Sequence, residues 1–294
     1  MVASDLPSVA QRTRTAARRA DALRTALRLV LTYGLLLTFA VAMVGPFVLM
    51  VSASLQPNLL YLTFPMKIVG PDMGFANYVT LFNRSLIGRW IFNSAVITVS
   101  VVLFQLTTCS MSGFAFARGR FPGRDVIFWV FMGTLMIPST VTIIPLYIVV
   151  ATLGWANTFP GLIIPQATSI FGTFLLRQNF KSIPTEYDDA ARIDGANRWQ
   201  LYRMVLLPLV KPALATLGTL TFLDSWNDFL YPLIVTSSDV MYPLTVGLAT
   251  MVKRGGNAGF SLAGATVSFL PTFAFFLVMQ RYVVRGITLS GLKG

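Results

Sequence analysis

The sequence predicts an all-α integral membrane protein with six transmembrane helices, and three observations carry that prediction. Its 294 residues are 55% hydrophobic and only 12% charged, against about 25% charged in a soluble domain. The mean hydropathy is +0.68, which excludes a disordered chain as well as an ordinary water-soluble globule. Charged residues are absent from four long stretches, 29–66, 90–117, 126–176 and 255–280.

A helix needs about 20 predominantly apolar residues to cross a bilayer. The first stretch holds one span, near 29–53, followed by a break at Gln56-Pro57-Asn58. It is too long for the core of a signal peptide, so the first helix is expected to be retained. The second and fourth stretches hold one span each. The third is long enough for two, divided at Gly154-Trp155-Ala156-Asn157, and the apolar segment near 206–235, interrupted only by Lys211, Asp224 and Asp228, supplies the sixth. The Ala/Arg-rich arm before the first span suits either an amphipathic surface helix or a poorly ordered tail. Turns at Gly70-Pro71-Asp72 and an aromatic stretch at 75–82 predict a short interfacial helix between the first two spans. Gly255-Gly256-Asn257 and Gly259 predict a flexible hairpin within 236–262. Pro46, Pro138, Pro145, Pro165 and Pro271 fall within spans, where bundle packing tolerates kinks, and Gly113/Ala117 suits close helix contact.

The net charge of +12 has three possible meanings: nucleic acid, an anionic surface, or topology. Position decides. Eighteen of the 23 basic residues lie in the N-terminal arm, the second-to-third loop, the fourth-to-fifth loop and the C-terminal tail. The other five, Lys67, Arg84, Arg89, Lys253 and Arg254, lie in the alternate loops. Positively charged loops stay cytoplasmic, so both termini are expected inside a multi-pass plasma-membrane protein bathed in lipid. A nucleic-acid face would not alternate with loop number. Histidine is absent and Cys109 is the single cysteine, which excludes an internal disulfide, a zinc centre and His-based catalysis. Cys109 reads as a small hydrophobe. An intramembrane enzyme would also lack a nucleophile–base pair.

The loop 178–208 carries the most specific signal. It holds Glu186, Asp188, Asp189 and Asp194, four of only 11 acids in the chain. Pro184 and Thr185 start a helix well, Thr185 as a cap, with the acids in its positive first turns. Ala190, Ala191 and Gly195 leave a flat patch with little side chain, which another protein can approach closely, and Ala196 is expected among the coupling residues. Gly195 permits a bend into a second short helix bearing Trp199, Tyr202 and Val205, which returns to the membrane at Leu207-Pro208.

Asp189-Ala190-Ala191, Gly195, Val205 and Leu207-Pro208 fall at the spacing of the signature loop of the integral-membrane subunits of ATP-binding-cassette (ABC) importers, which the chain resembles. That loop begins with Glu-Ala-Ala; here Asp189 stands for the Glu and Val205 for an Ile. The resemblance extends through Ser54-Leu55-Gln56-Pro57, Asn93-Ser94, Phe121-Pro122-Gly123-Arg124, Ile163-Ile164-Pro165, Trp226-Asn227-Asp228 and Gln280-Arg281-Tyr282. It is similar to the carbohydrate-uptake subgroup, and there to the smaller permease subunit of maltose-type transporters. The resemblance implies an importer permease fold with a cytoplasmic coupling-helix loop on a body over 29–288, flanked by an arm at 1–28 and a tail at 289–294. It also implies a second homologous permease, two cytoplasmic ATP-binding subunits and an extracytoplasmic solute-binding protein as partners. No phosphate-cradling Gly-x-x-x-x-Gly-Lys-Ser/Thr loop occurs in the sequence. ATP and Mg²⁺ are therefore expected on the partner ATPase, with no cofactor in this chain. The resemblance implies that the tail after Arg285 reaches the ATPases and that the outer Gly-rich loop reaches the binding protein, while the sequence alone suits a plain connecting turn there.

Ionisable residues inside a span are costly and read first as functional. Asp224 and Asp228, four apart, are expected on one helical face, with Trp226, Asn227 and Phe229 adjoining. Carboxylates and amides suit sugar hydroxyls, and aromatic faces suit sugar C–H groups. Helix packing, or a capped break near Pro232, accounts for the same residues equally well. An ion-coupled secondary transporter is the alternative function, with these two aspartates as its ion site.

Overall fold

The computed structural model describes residues 9–56, 73–253 and 257–291, and every regular element among them is a helix. The turn at Gly70-Pro71-Asp72, the Gly255-Gly256 pair and residues 292–294 lie outside the described residues. Helix α1 (Val9–Ser54) unites the basic arm and the first span in one rod, so the described part of the arm is helical. The expected interfacial helix is α2 (Ala76–Arg84). The central element is α3 (Ile87–Arg118).

Then come α4 (Arg124–Thr134) and α5 (Ser139–Thr152), which together form one apolar segment bent by 102°. Pro138 explains the bend: its ring disfavours helical geometry at Ile137, and it stands extended at ψ 132° before α5 begins. A short α6 (Phe159–Ile163) leads through a 3₁₀ turn and a 40° break to α7 (Ile170–Ser182). There the Ser169 hydroxyl accepts the Gly172 N–H as an N-cap.

Helix α8 (Glu186–Ile193) is followed by α9 (Arg198–Gln200), a π-helical turn at Leu201–Leu206, and α10 (Leu207–Leu209). After a bend of 77° the chain continues as α11 (Lys211–Asn227), then α12 (Leu230–Val235), α13 (Leu244–Lys253) and α14 (Ala258–Gly291).

Among the described residues three helical segments are long and apolar enough to cross a membrane unbroken: Thr25–Ser54, Ile87–Arg118 and Ala258–Gln280. Taking each bent pair as one crossing gives six, the number expected. Two boundaries differ from expectation. The segment 206–235 is no single helix: it bends at Val210, between Pro208 and Pro212, and breaks again at Asp228, whose ψ of 130° is extended. The segment 236–262 is more than a hairpin, because α13 packs there. Leu244 and Met251 join Trp90, Trp226 and Ala263 in one apolar cluster, and Gly247 lies so close beneath the Trp90 ring that a Cβ would collide with it.

Helix α3 packs on α7 and α11, and α14 packs on α1 and α11. Close approach of α3 and α7 depends on Gly113, where a Cβ would lie 3.0 Å from the Arg177 backbone nitrogen. Cys109 is fully buried at this contact, with its Sγ 3.3 Å from the Ser169 carbonyl oxygen. By contrast, the apolar side chains of α1 from Leu27 to Val44 are exposed, as a lipid-facing helix requires.

Candidate functional site

Two polar sites emerge, at different depths of the bundle. The first is built on α8. Its first turn closes on the Thr185 carbonyl, which accepts the N–H groups of Asp188 and Asp189, and the Thr185 side chain makes no cap bond. That corrects the expectation of a Thr185 side-chain cap; at φ −71°, ψ −16° the residue is already helical, which turns its hydroxyl away from the first-turn amides. The helix ends where Gly195 takes φ +80°, a left-handed conformation that favours glycine. The chain restarts through a capping box in which Asn197 and Gln200 exchange side-chain and backbone hydrogen bonds.

This geometry divides the predicted coupling residues. Glu186, Asp189, Ala190, Asp194 and Gly195 are exposed, as is Pro208, while Ala196 and Leu207 are half-buried. Asp188 and Ala191 turn inward: they are 4% and 7% exposed. Ala191 packs with Phe180, Leu201, Tyr202 and Leu206 under the helix, and Tyr202 shares a 2.7 Å hydrogen bond with Ser110 of α3. Only Ala190 and the glycine therefore form the flat patch expected of both alanines. Sequence reasoning missed the apolar centre of the outward face. Ile193 is 86% exposed, and Tyr187, Trp199 and Met204 are also exposed. The available signal was spacing: Ile193 lies four residues after Asp189 and seven after Glu186, on the helical face of those acids. Asp189 pairs with Arg192 at 3.1 Å across one turn, which leaves Glu186 and Asp194 on the rim.

The second site is a cleft of about 620 Å³ where α11 ends. Asp224, Asn227, Asp228 and Phe229 line it, facing Ser139 and Thr142 of α5 and Gln166. The two carboxylates share this cleft although the helix stops between them. Asp224 is exposed. Asp228 is half-buried, takes a 3.4 Å hydrogen bond from the Gln166 amide, and faces the backbone amides of Phe229 and Tyr231 at the start of α12. Its own carbonyl accepts from the Thr245 hydroxyl at 2.6 Å. Asp228 thus stabilises a break as well as lining the cleft. Trp226 is absent from it. Its ring is buried, stacked on Phe222 at 5.8 Å, and its indole N–H donates to the Ser268 carbonyl of α14 at 3.2 Å. Among the described residues no group of three or more potential metal ligands converges.

Comparison with known proteins identifies the family. The family described as binding-protein-dependent transport system inner membrane component matches residues 109–289. The arabinooligosaccharides transport system permease protein AraQ of Bacillus subtilis (strain 168) is 33% identical over 253 residues, covering 85% of this chain and 90% of that one. The sn-glycerol-3-phosphate transport system permease protein UgpE of Rhizobium meliloti (strain 1021) is 36% identical over 202 residues, covering 68% and 72%. A chain of a bacterial ABC transporter involved in the import of the acidic polysaccharide alginate superposes with a TM-score of 0.75 at 25% identity, over 90% of this chain and 98% of its own. These relatives are transport components and not enzymes, and the family sets the ion-coupled alternative aside. With the family match spanning more than half of its length, the chain belongs to the inner-membrane components of binding-protein-dependent transport systems, the permease subunits of ABC importers.

Proposed function

We propose that this subunit forms half of the translocation path for an oligosaccharide or related polyol, and that α8 and the turn after it receive force from a cytoplasmic ATPase. The observation that carries the coupling assignment is the outward face of α8. An apolar residue 86% exposed, Ile193, sits among Glu186, Asp189 and Asp194, and an apolar anchor with a charged rim is the usual anatomy of a protein interface. The α8 end of the bundle is then cytoplasmic, and both termini lie on that side. ATP and Mg²⁺ belong to two ATP-binding partners. A second homologous permease completes the path, and an extracytoplasmic binding protein delivers the cargo.

The cleft supports the polyol reading. A carboxylate exposed within a membrane-crossing segment cannot face lipid without a large cost, so Asp224 belongs against a polar path. Ser139, Thr142, Gln166 and Asn227 offer hydroxyl and amide partners there, and Phe229 offers an apolar face. Relatives are named for arabinooligosaccharide and glycerol-3-phosphate transport, which agrees with hydroxyl-rich cargo.

Gly195→Trp tests the coupling assignment. No atom lies within 4 Å of the position a Cβ would take, so an indole would stand in the docking space. Gly195→Asn is the control for backbone strain, since asparagine tolerates the left-handed conformation. The tryptophan variant is expected to lose co-purification with the ATPase and ATP-driven uptake, and the asparagine variant to keep more of both. ATPase capture by Gly195→Trp at the wild-type level would sink the assignment.

A further inference from the structure

We infer that Arg118 and Asp188 are positioning residues for energy coupling: they join α8 to the end of α3, and α3 carries the displacement to the opposite end of the molecule. This rests on the reading of α8 as the ATPase-docking helix.

Arg118 is the last residue of α3, and its guanidinium holds two things. Its Nε lies 3.2 Å from Asp188 Oδ2, and its Nη2 donates to the Ile183 carbonyl at 2.5 Å. Ile183 is the residue that ends α7, just before the α8 turn. One side chain therefore grips both the entry to α8 and its first turn. Both partners are nearly out of solvent, with side chains 11% and 6% exposed.

The pair is incompletely satisfied. The Nε–H is close to the carboxylate without making an aligned hydrogen bond, and Asp188 Oδ1 has no hydrogen-bond partner among the described residues. A buried ion pair stabilises a fold only when geometry and residual hydrogen bonds are good, so maximal rigidity does not explain this one. The pair borders a crevice of about 410 Å³ whose lining also includes Arg120 and Arg198, and the bridge to Arg118 is what ties Asp188, and with it α8, to the end of α3.

The other end of α3 is held as specifically. The Trp90 indole donates to the Asp239 carbonyl at 2.7 Å. The Asn93 amide donates to the carbonyls of Val240 and Tyr242 at 2.8 and 3.0 Å, and the Ser94 hydroxyl accepts the Leu244 N–H at 2.8 Å. Both grips belong to one helix of 32 residues without an internal proline, about 48 Å long in all at 1.5 Å per residue. A displacement at Arg118 therefore reaches residues 239–244 without crossing a hinge.

The test uses the full transporter, reconstituted with its ATPases, and needs no cargo. Val240→Cys gives a thiol at an exposed position beside the outer grip, while native Cys109 is fully buried. The maleimide labelling rate is compared between nucleotide-free complex and complex trapped with ATP, Mg²⁺ and vanadate. On otherwise native background the two rates are expected to differ by about tenfold, the usual size of allosteric coupling. Arg118→Asp or Asp188→Arg alone should bring them within about twofold while the ATPase still co-purifies, and the double reversal, which restores the ion pair but not the bond to the Ile183 carbonyl, should restore part of the difference. Asp188→Asn, nearly the same shape, guards against a folding defect and should also lose the response. Equal rates on the native background, full response in Asp188→Asn, or failure of the double reversal to rescue overturns the inference. Loss of ATPase co-purification in Gly195→Trp alone tests the docking reading separately.

Discussion

The outward face of α8 and the cleft below Asp224 place charge in opposite settings. On α8 Glu186, Asp189 and Asp194 surround an exposed isoleucine, and the buried half of the helix holds Ala191 in apolar and aromatic packing and Asp188 paired with Arg118. In the cleft the carboxylates lie within a membrane-crossing segment and the apolar residues surround them. The difference follows from the role proposed for each site. A docking surface keeps its charge on the rim, where it steers and selects a partner. A path through a bilayer concentrates polar groups in the interior because lipid tolerates them nowhere else.

The comparison breaks most readily at Ile193. Replacing it by Asp introduces a charge into the centre of the docking face without touching the core. Affinity for the ATPase is expected to fall by about 100-fold, a central-residue loss of ~3 kcal/mol, as read by titrating detergent-solubilised permease with the ATPase. Unchanged affinity would mean that α8 docks elsewhere or not at all.

Ala190 and Ala191 sharpen the contrast within one helix. Ala191→Leu overpacks the space against Tyr202 and Leu206 and is expected to cost about 2 kcal/mol of stability, seen as a lower melting temperature. Ala190→Leu should leave the melting temperature alone and weaken ATPase binding. If both substitutions destabilise the fold equally, the inward–outward assignment is wrong.

The cleft divides in the same manner between adjacent residues, with smaller effects. Trp226→Phe removes the donor to the Ser268 carbonyl and is expected to cost about 1 kcal/mol, lowering thermal stability with uptake retained. Asp224→Asn should do the reverse, changing uptake severalfold at unchanged melting temperature. A cargo-independent melting shift in Asp224→Asn would instead assign that residue to packing.

How much was legible in the sequence follows from where each partner lies. The α8 motif is contiguous, so its helix and the Gly195 turn were readable from spacing alone. Which acid faces inward was not, because Asp188 is selected by Arg118, 70 positions earlier and on another helix. Trp226 sits in a Trp-Asn-Asp run that reads as one sugar-binding group, yet its partner carbonyl belongs to Ser268 on α14. The break at Asp228 was signalled only by Pro232. Helix α13 was hidden behind neighbouring glycines, although one of its own, Gly247, is there to admit Trp90. Composition locates the apolar segments well, and long-range contacts decide what each polar residue does.

The central claim is that the outward face of α8 meets the ATPase, and one labelling experiment reaches it directly. Ile193→Cys places a thiol at its centre, against a buried native cysteine that contributes little background. In native membranes, maleimide should label this thiol rapidly when the ATPase is stripped away and at least about tenfold more slowly when it is bound, since a docked interface excludes solvent and reagent. A thiol at Val240, on the opposite end, should show no such protection by the nucleotide-free ATPase. Equal labelling of Ile193→Cys with and without the ATPase would contradict the account.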